Sequence, residues 1–191
     1  MKFIIIIKVY LILIHLLVKK MVQVAFYLMN YKGYTTLKSF TKKYGAGAVA
    51  YIVTSEDKAI KKDYADEIFE FAKNLNIRVF DKSEDFSDFE RDLDIYKFSI
   101  GWRWIIKDEK NLIIFHDSLL PKYRGFAPLV NSLINKQPEL GVTALKASKN
   151  YDQGDIVSQG KIEINYPIKI NEAIQKVTPI YFHLLDKIYQ N

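Results

Sequence analysis

Short apolar runs of strand length alternate with segments of helical periodicity along most of this 191-residue chain. The apolar runs predict strands at residues 22–28, 48–54, 77–80, 95–102, 112–115, 142–145 and 156–164. Apolar residues three or four positions apart predict helices at residues 35–44, 61–75, 85–93, 128–134 and from 171 onward. Strands that are apolar throughout and alternate with helices are typical of a mostly parallel sheet. The sequence therefore predicts a single α/β domain over residues 21–191, with helices on both faces of its sheet.

Residues 3–18 are almost wholly apolar and are followed by Lys19 and Lys20. The run is slightly shorter than the about 20 residues that span a membrane, and no small-residue cleavage site follows it. A weak membrane anchor, a signal-like segment and translation from a misplaced start are all open. We favour the misplaced start, because Met21 directly precedes the first predicted strand. Residues 1–20 are therefore predicted to lie outside the fold.

A chain that starts at Met21 is expected to fold and to bind ligand as well as the full chain. Thermal unfolding and ligand titration of the two forms would check this expectation. Loss of folding on deletion would contradict the misplaced start, and membrane association of the full chain in cells would favour an anchor.

The composition excludes several kinds of site. Hydrophobic residues make up 49% and charged residues 26% of the chain, which is ordinary for a soluble globular protein. Because there is no cysteine, a disulfide framework, a zinc knuckle and a thiol nucleophile are excluded. His15, His116 and His183 lack the spacing of a metal-binding motif, so no metal site is predicted.

The chain is basic, with a formal net charge of +6 and a pI of about 9.2. Its lysines form short clusters, and the acidic stretch at residues 83–94 offsets them. Both a solvated surface and a partner that carries phosphate fit this pattern. No basic stripe suited to nucleic acid is visible, so neither a nucleic-acid partner nor a membrane partner is predicted.

The segment GAGAVA at residues 45–50 is similar to part of a dinucleotide-binding glycine motif. It lacks the third glycine and follows a helix instead of a strand, so Gly45 is predicted to end that helix. Residues 30–33 are predicted to form a turn, after which Thr35 or Thr36 caps the helix.

Two residues of the closing helix are interpreted as structural. His183 lies within the amphipathic pattern and is predicted to be a surface or interhelical histidine. Pro179 is predicted to kink or end the helix, since proline removes a backbone donor.

His116 directly follows the predicted strand 112–115, and Asp152 lies in a turn-rich loop before the last strand. In open parallel sheets, ligands bind beyond the carboxyl ends of the strands. A carboxylate beside one imidazole nitrogen fixes the tautomer and supports the imidazolium, as a general acid/base or an oxyanion stabiliser needs. The residues alone leave catalysis open beside a capping or other structural role for this pair.

Three consecutive segments resemble the catalytic domain of the folate-dependent formyltransferases. They are HDSLLPKYRGFAP at 116–128, LINKQPELGVTALKA at 133–147 and YDQGDIVSQGKIEI at 151–164. That family includes glycinamide-ribonucleotide and methionyl-tRNA formyltransferases and the N-formyltransferases of nucleotide-linked amino sugars. The resemblance is strong over residues 111–164 and depends on the order of strands and helices over 22–104. It implies a Rossmann-like formyltransferase fold and a cytoplasmic enzyme.

The resemblance implies N10-formyltetrahydrofolate as the formyl donor and a primary amine as the acceptor. His116 and Asp152 match the family's catalytic histidine and aspartate. The amine would attack the formyl carbon, and His116 would stabilise the charge on the formyl oxygen or move protons. Asp152 would orient and polarise the imidazole, and the loop 118–121 would form a rigid support under the site.

The segment SIGWRWII at 99–106 matches the part of the family that lines the pterin pocket. Trp102 and Trp104 are equally well explained by core packing. The folate-binding residues implied by the resemblance are Arg103, Trp104, Ile106 and Tyr151. Tyr123 and Arg124 are implied as acceptor-binding residues or as residues that hold the loop.

One position departs from the family pattern. The family has asparagine two residues before the histidine, where this chain has Ile114. Losing one donor to a developing oxyanion typically costs about 10²–10³ in rate. Asn111 would lie roughly 10 Å away and on the opposite face of the strand, so Asn150 is the better replacement.

Two further differences between this chain and members of the family narrow the choice of acceptor. The chain ends soon after the catalytic domain, without the β-barrel of the methionyl-tRNA enzymes, so initiator tRNA is not expected. Arg124 stands where the purine enzyme has proline, and residues 31–35 do not reproduce its Gly-Ser-Gly loop. A nucleotide-linked amino sugar is therefore the favoured small-molecule acceptor, with Lys32, Gly33 and Thr35 at a helix start as phosphate contacts.

Two other functions and the oligomeric state stay open. A hydrolase would pass the formyl group to water with the same His–Asp pair. A folate or sugar-nucleotide binding protein without catalysis is the other alternative, because of Ile114. A homodimer is one possible assembly.

Overall fold

The computed structural model describes residues 22–60, 62–91 and 93–191. The strands of this part of the chain are β1 (Val24–Leu28), β2 (Val49–Thr54), β3 (Arg78–Asp81), β4 (Tyr96–Ile100), β5 (Leu112–His116), β6 (Glu139–Lys146) and β7 (Ile156–Glu163). Its α-helices are α1 (Asn30–Tyr44), α2 (Ala65–Asn74), α3 (Ser87–Glu90), α4 (Pro128–Ile134) and α5 (Ile170–Gln190). The N-terminal apolar segment and its three interpretations fall outside the described residues.

The strands form one sheet in the order β3-β2-β1-β4-β5-β6-β7. The pairs from β3 to β5 are parallel, whereas β6 pairs with β5 and β7 with β6 in the antiparallel sense. The predicted mostly parallel α/β sheet is therefore confirmed. Strands β1, β4 and β5 all end at the same edge, which brings the residues after them together.

The two faces of the sheet are covered differently. On one face, Phe26 and Phe98 pack with Phe40 of α1 and Tyr181 of α5 in the main core. On the other face, Tyr27 and Tyr51 pack beneath a thinner cover formed by α3 and the segment 101–106. The segment that the sequence assigned to a pterin pocket thus forms part of this second layer.

Helix α1 begins at Asn30, five residues earlier than predicted, so the predicted turn at 30–33 is wrong. Asn30 has a positive φ of 55°, and its side-chain amide donates to the carbonyl of Gly101 at 3.2 Å. Gly33 belongs to the first turn of the helix, where a Cβ would lie 3.2 Å from Leu28 Cβ and from the Ile100 carbonyl oxygen. The glycine is needed for close packing of the helix on the strand ends, not for a turn.

The end of α1 follows the prediction, whereas the last helix does not end at Pro179, one of the two outcomes predicted for that proline. Gly45, with φ 80°, stops α1 before a short 3-10 helix leads into β2. Helix α5 continues through Pro179 to Gln190, so the predicted break is absent. Burial of Val177 and Tyr181 on either side of the proline stabilises the helix across it. His183 is exposed on its surface, as predicted.

Within the described residues, no helix is both long enough and apolar enough to cross a membrane.

Candidate active site

A cavity of about 690 Å³ lies at the carboxyl ends of β4 and β5. Four segments provide most of its wall: 101–106, 114–117, 125–128 and 145–152. Lys32 from α1 and Tyr181 from α5 complete the side that faces the main core. Its volume is in the range of small-molecule sites.

His116 is the last residue of β5 and is buried, with 7% of its surface exposed. Its Nε2 lies 2.8 Å from the carbonyl oxygen of Tyr123, and its Nδ1 lies 3.4 Å from Asp152 Oδ1. Because a carbonyl oxygen only accepts, Nε2 carries a proton in this arrangement. Both ring nitrogens therefore face acceptors, which suits an imidazolium paired with the Asp152 carboxylate.

Hydrogen bonds hold both the backbone and the side chain of Asp152. Its backbone has a positive φ of 52°, and its Oδ2 accepts the backbone N–H of Gly125 at 2.8 Å. Its carbonyl oxygen accepts a hydrogen bond from Arg124 Nε at 2.9 Å. The two loops that the sequence predicted at this edge are thus tied together, with Asp152 Oδ1 directed at His116.

Tyr123 and Arg124 contribute to the site without lining the cavity. The backbone carbonyl of Tyr123 accepts a hydrogen bond from His116, and the guanidinium of Arg124 donates to the backbone carbonyl of Asp152. These contacts favour the loop-holding role over the acceptor-binding role for both residues.

The loop after His116 is rigidly held, in agreement with the role implied for residues 118–121. Ser118 Oγ donates to the Lys122 carbonyl at 2.6 Å. Thr143 Oγ1 donates to the Ser118 carbonyl at 2.6 Å and accepts the N–H of Leu120 at 3.0 Å. A buried threonine of β6 therefore supports the turn beneath the histidine.

The four residues implied in folate binding come together at the cavity. All of them are lining residues: Arg103, Trp104, Ile106 and Tyr151. Trp104 packs edge-on against Trp102, with ring centroids 5.0 Å apart. The rim carries two exposed aromatic residues, Tyr151 with 73% and Phe126 with 88% of its surface exposed. A flat heteroaromatic ligand would find stacking partners on this side.

Two ion pairs anchor the segment 101–111 to the rest of the domain. Arg103 pairs with Asp57 and holds the pKa of that carboxyl below its usual value. Lys97, a buried lysine of β4, pairs with Asp108 and lies 3.7 Å from Glu90 Oε1. The hydrogen bond from Lys97 lowers the pKa of the Asp108 carboxyl.

The Asp108→Asn variant is expected to have a lower unfolding temperature than wild type at neutral pH, since it leaves Lys97 buried with Glu90 alone. The carboxyl of Asp108 has a lower pKa in the folded than in the unfolded chain. The ionised carboxyl of Asp108 therefore contributes fully to the free energy of unfolding above the unfolded pKa of about 4. This contribution is lost as the pH falls through the lower pKa of the folded state. The melting temperatures of the two proteins should differ at about pH 6 and converge as the pH falls below the folded pKa of Asp108.

A matched control is Asp88→Asn, which breaks the exposed pair of Asp88 with Arg91. Exposed ion pairs contribute little to stability, so this variant should have the wild-type melting temperature at every pH. Equal melting temperatures for wild type and Asp108→Asn at neutral pH would show that Lys97 does not depend on this partner.

Position 114 and its proposed substitutes are placed as follows. Ile114 lines the cavity on the same face of β5 as His116, and Ser99 is its register partner on β4. Asn111 donates to Asp94 at 3.0 Å and does not line the cavity. Asn150 lines the cavity beside Asp152.

The three residues predicted to contact a phosphate lie in different places. Lys32 faces the cavity, Gly33 is buried, and Thr35 lines a different cleft.

Two features of the site were not predicted. Asp117 pairs with Lys32 inside the cavity, with side chains 15% and 12% exposed. Trp102 buries its Nε1 without a hydrogen-bond partner among the described residues. The position of Asp117 directly after the histidine was visible in the sequence, but its partner comes from a helix 85 residues away.

The cavity, the His–Asp pair and the loop that joins them lie almost entirely within residues 100–179, which match the family described as formyl transferase. This part of the chain is similar to the formyltransferase family, in agreement with the resemblance described above. Over 129 residues, the chain is 31% identical to the methionyl-tRNA formyltransferase of Mycoplasmopsis pulmonis (strain UAB CTIP). That match covers 61% of this chain and only 45% of the relative, so the chain spans less than half the length of this relative.

Solved structures of the family share the fold. The phosphoribosylglycinamide formyltransferase of Bacillus halodurans matches with a TM-score of 0.70 and 18% identity, over 87% of this chain and 94% of that chain. The N-formyltransferase of Helicobacter canadensis, in complex with folinic acid and dTDP-3-aminofucose, matches with a TM-score of 0.70 and 21% identity. That match covers 88% of this chain and 63% of the other. The predicted Rossmann-like fold is confirmed.

Proposed function

We propose that this chain transfers a formyl group from N10-formyltetrahydrofolate to the primary amine of a small molecule. The observation that carries the proposal is the His116–Asp152 pair at 3.4 Å, in the wall of a cavity on the carboxyl edge of the sheet. The family match over residues 100–179 supports the same chemistry.

The wall formed by residues 101–106 and the exposed rim would receive the donor. Trp102 and Trp104 offer aromatic surface for a pterin, and Trp102 Nε1 is a buried donor without a partner among the described residues. Such a donor is costly to bury and is stabilised by a ligand acceptor. Tyr151 and Phe126 at the rim would contact the part of the donor that extends towards solvent.

His116 would act through its positive charge. Attack of an amine on the formyl carbon transfers negative charge to the formyl oxygen, and an imidazolium in a buried site stabilises that charge. Asp152 would hold the ring and keep its second proton in place. In this arrangement, neither ring nitrogen of His116 is free to take a proton from the acceptor.

We infer a nucleotide-linked amino sugar as the first candidate acceptor. Lys32 faces the cavity from the first turn of α1, and its ammonium group suits a phosphate. The Helicobacter canadensis protein, whose fold this chain shares, binds such an acceptor. Methionyl-tRNA is the second candidate, because the Mycoplasmopsis pulmonis relative acts on it.

The test is a turnover assay with N10-formyltetrahydrofolate and three parallel conditions: dTDP-3-aminofucose, methionyl-tRNA and no acceptor. Donor consumption that depends on the amino sugar nucleotide, with formylated product, is expected. Consumption without any acceptor would instead identify a hydrolase. Tight binding of folinic acid with no consumption in any condition would identify a binding protein and refute the transferase.

A further inference from the structure

The ion pair between Lys32 and Asp117 lies on the side of the cavity formed by α1 and α5. Lys32 Nζ donates to Asp117 Oδ2 and also lies 5.7 Å from the centre of the Tyr181 ring. Asp117 Oδ1 has no hydrogen-bond partner among the described residues, although it is buried. A carboxylate that uses one oxygen and leaves the other without a donor is unfavourable in a buried position.

The proposed reaction lacks a proton acceptor in the groups assigned so far. An amine is protonated at neutral pH and must lose a proton before it can attack a formyl carbon. His116 cannot supply the base in this arrangement, because Nε2 donates to Tyr123 and Nδ1 faces Asp152. Asp152 is also engaged through both oxygens, by His116 and by the N–H of Gly125.

We infer that Asp117 binds the ammonium group of the acceptor and takes its proton, an inference that rests on the proposed function. An ammonium donor would satisfy Oδ1 with a charge-assisted hydrogen bond while Lys32 keeps Oδ2. Asp117 and His116 both line the cavity, so an amine held by Asp117 would share this cavity with the imidazole. The amine would lie on the side of the cavity where Lys32 of α1 meets Asp117.

The reaction then balances as follows. One proton passes from the ammonium to the Asp117 carboxylate and later to solvent. The amine nitrogen forms a bond to the formyl carbon, and charge builds on the formyl oxygen near His116. The carbon–N10 bond breaks, N10 takes the second proton of the attacking nitrogen, and a formamide is released.

Lys32 and Asp117 would then recognise different parts of one acceptor. The lysine would meet the phosphate, and the aspartate would meet the amine. If the two side chains have these roles, their effects on binding can be distinguished by comparing an acceptor with an analogue that differs only in the amine.

The experiment is a calorimetric titration with dTDP-3-aminofucose and with dTDP-fucose, which has a hydroxyl in place of the amine. Folinic acid, whose formyl group is on N5, occupies the donor side without transfer. Wild type is expected to bind the amine probe at least about tenfold tighter than the hydroxyl probe, the factor that one charge-assisted hydrogen bond supplies. Asp117→Asn should bind the two probes equally, and Asp117→Ala should repeat this result.

Lys32→Met is the matched variant. It should weaken both probes by the same factor and keep the preference for the amine, because the phosphates are common to both probes. If Asp117 only held Lys32 in place, Lys32→Met and Asp117→Asn would change the two affinities in the same way, and the inference would be overturned. Equal affinities of wild type for the two probes, including no binding of either, would also overturn it.

Turnover separates this inference from the proposed function. With N10-formyltetrahydrofolate as donor, Asp117→Asn should lower the rate of formyl transfer by about 10²–10⁴-fold, the usual effect of losing a general base. A wild-type protein that prefers the amine probe but transfers no formyl group would refute the proposed reaction and the proton transfer, and would support the ammonium contact alone.

Discussion

Replacing His116 with asparagine should lower the rate of formyl transfer by about 10²–10⁴-fold and leave the unfolding temperature within a few degrees of wild type. The substitution removes the imidazole that the proposed mechanism places beside the formyl oxygen. The asparagine amide lies near the position of Nδ1 and can still donate towards Asp152 Oδ1, which His116 Nδ1 faces at 3.4 Å. The rate is measured with N10-formyltetrahydrofolate and dTDP-3-aminofucose, and folding by thermal unfolding.

Asp152→Asn should have an effect of the same order. Its amide oxygen can still accept the N–H of Gly125, so the loops stay joined while the charge beside His116 is lost. The controls are His183→Asn and Asp155→Asn, because both native residues are exposed and neither lines the cavity. Both controls should keep the wild-type rate.

Two outcomes would contradict this mechanism. A near-normal rate in either His116→Asn or Asp152→Asn would show that the pair does not act on the formyl group. Unfolding of both variants would show that the pair is a structural link between the loops, with no independent catalytic role.

Ile114→Asn should raise the rate of formyl transfer by up to about 10²-fold. Ile114 lines the cavity on the same face of β5 as His116, so an asparagine there would direct its amide towards the proposed position of the formyl oxygen. The comparison is made at saturating acceptor. Ile114→Val, which trims the side chain without adding a donor, is the matched control and should show no gain.

A rate that does not rise would have a specific alternative explanation. The hydroxyl of Ser99 lies on the neighbouring strand, in register with Ile114, and also lines the cavity. If this hydroxyl has taken the donor role, Ser99→Ala should lower the rate. Ile114→Asn should then only destabilise the protein, by about 1–3 kcal/mol for an amide without partners. No turnover with either residue at position 114 would identify a binding protein.

The sheet was predictable because β1, β2 and β5 are apolar over nearly their whole length, as buried parallel strands are. The antiparallel direction of β6 and β7 was not predicted, since the apolar positions of a strand locate it without giving its direction. The start of α1 was misplaced because Gly33 was interpreted as a turn residue. Its small size is required by the Ile100 carbonyl on β4, a contact between residues far apart in sequence.

The His116–Asp152 pair was predictable because each residue follows or precedes a strand at the same edge of the sheet. The pairing of Asp117 with Lys32 was not, since it depends on the angle at which α1 leaves β1. Trp102 was left between core and pocket, because its ring packs on Tyr27 while its Nε1 remains unpartnered among the described residues. Sequence patterns indicate which residues reach an edge but not which atoms meet there.

Two hydrogen bonds join the two loops of the site, from Arg124 and from Gly125 to Asp152, and the Tyr123 carbonyl holds His116 within the first loop. Tyr123, Gly125 and Asp152 all hold left-handed backbone conformations, so each contact depends on the shape of the loop as well as on a side chain. A replacement that changes the backbone shape at one of these positions would misalign its partner, so few intermediate sequences would keep the His116–Asp152 pair aligned. The two loops of such a site are constrained together, whereas α2 and the strands beside it need only keep their apolar faces. This is a physical reason for family likeness to persist in the second half of the chain while the first half retains little more than the order of its strands and helices.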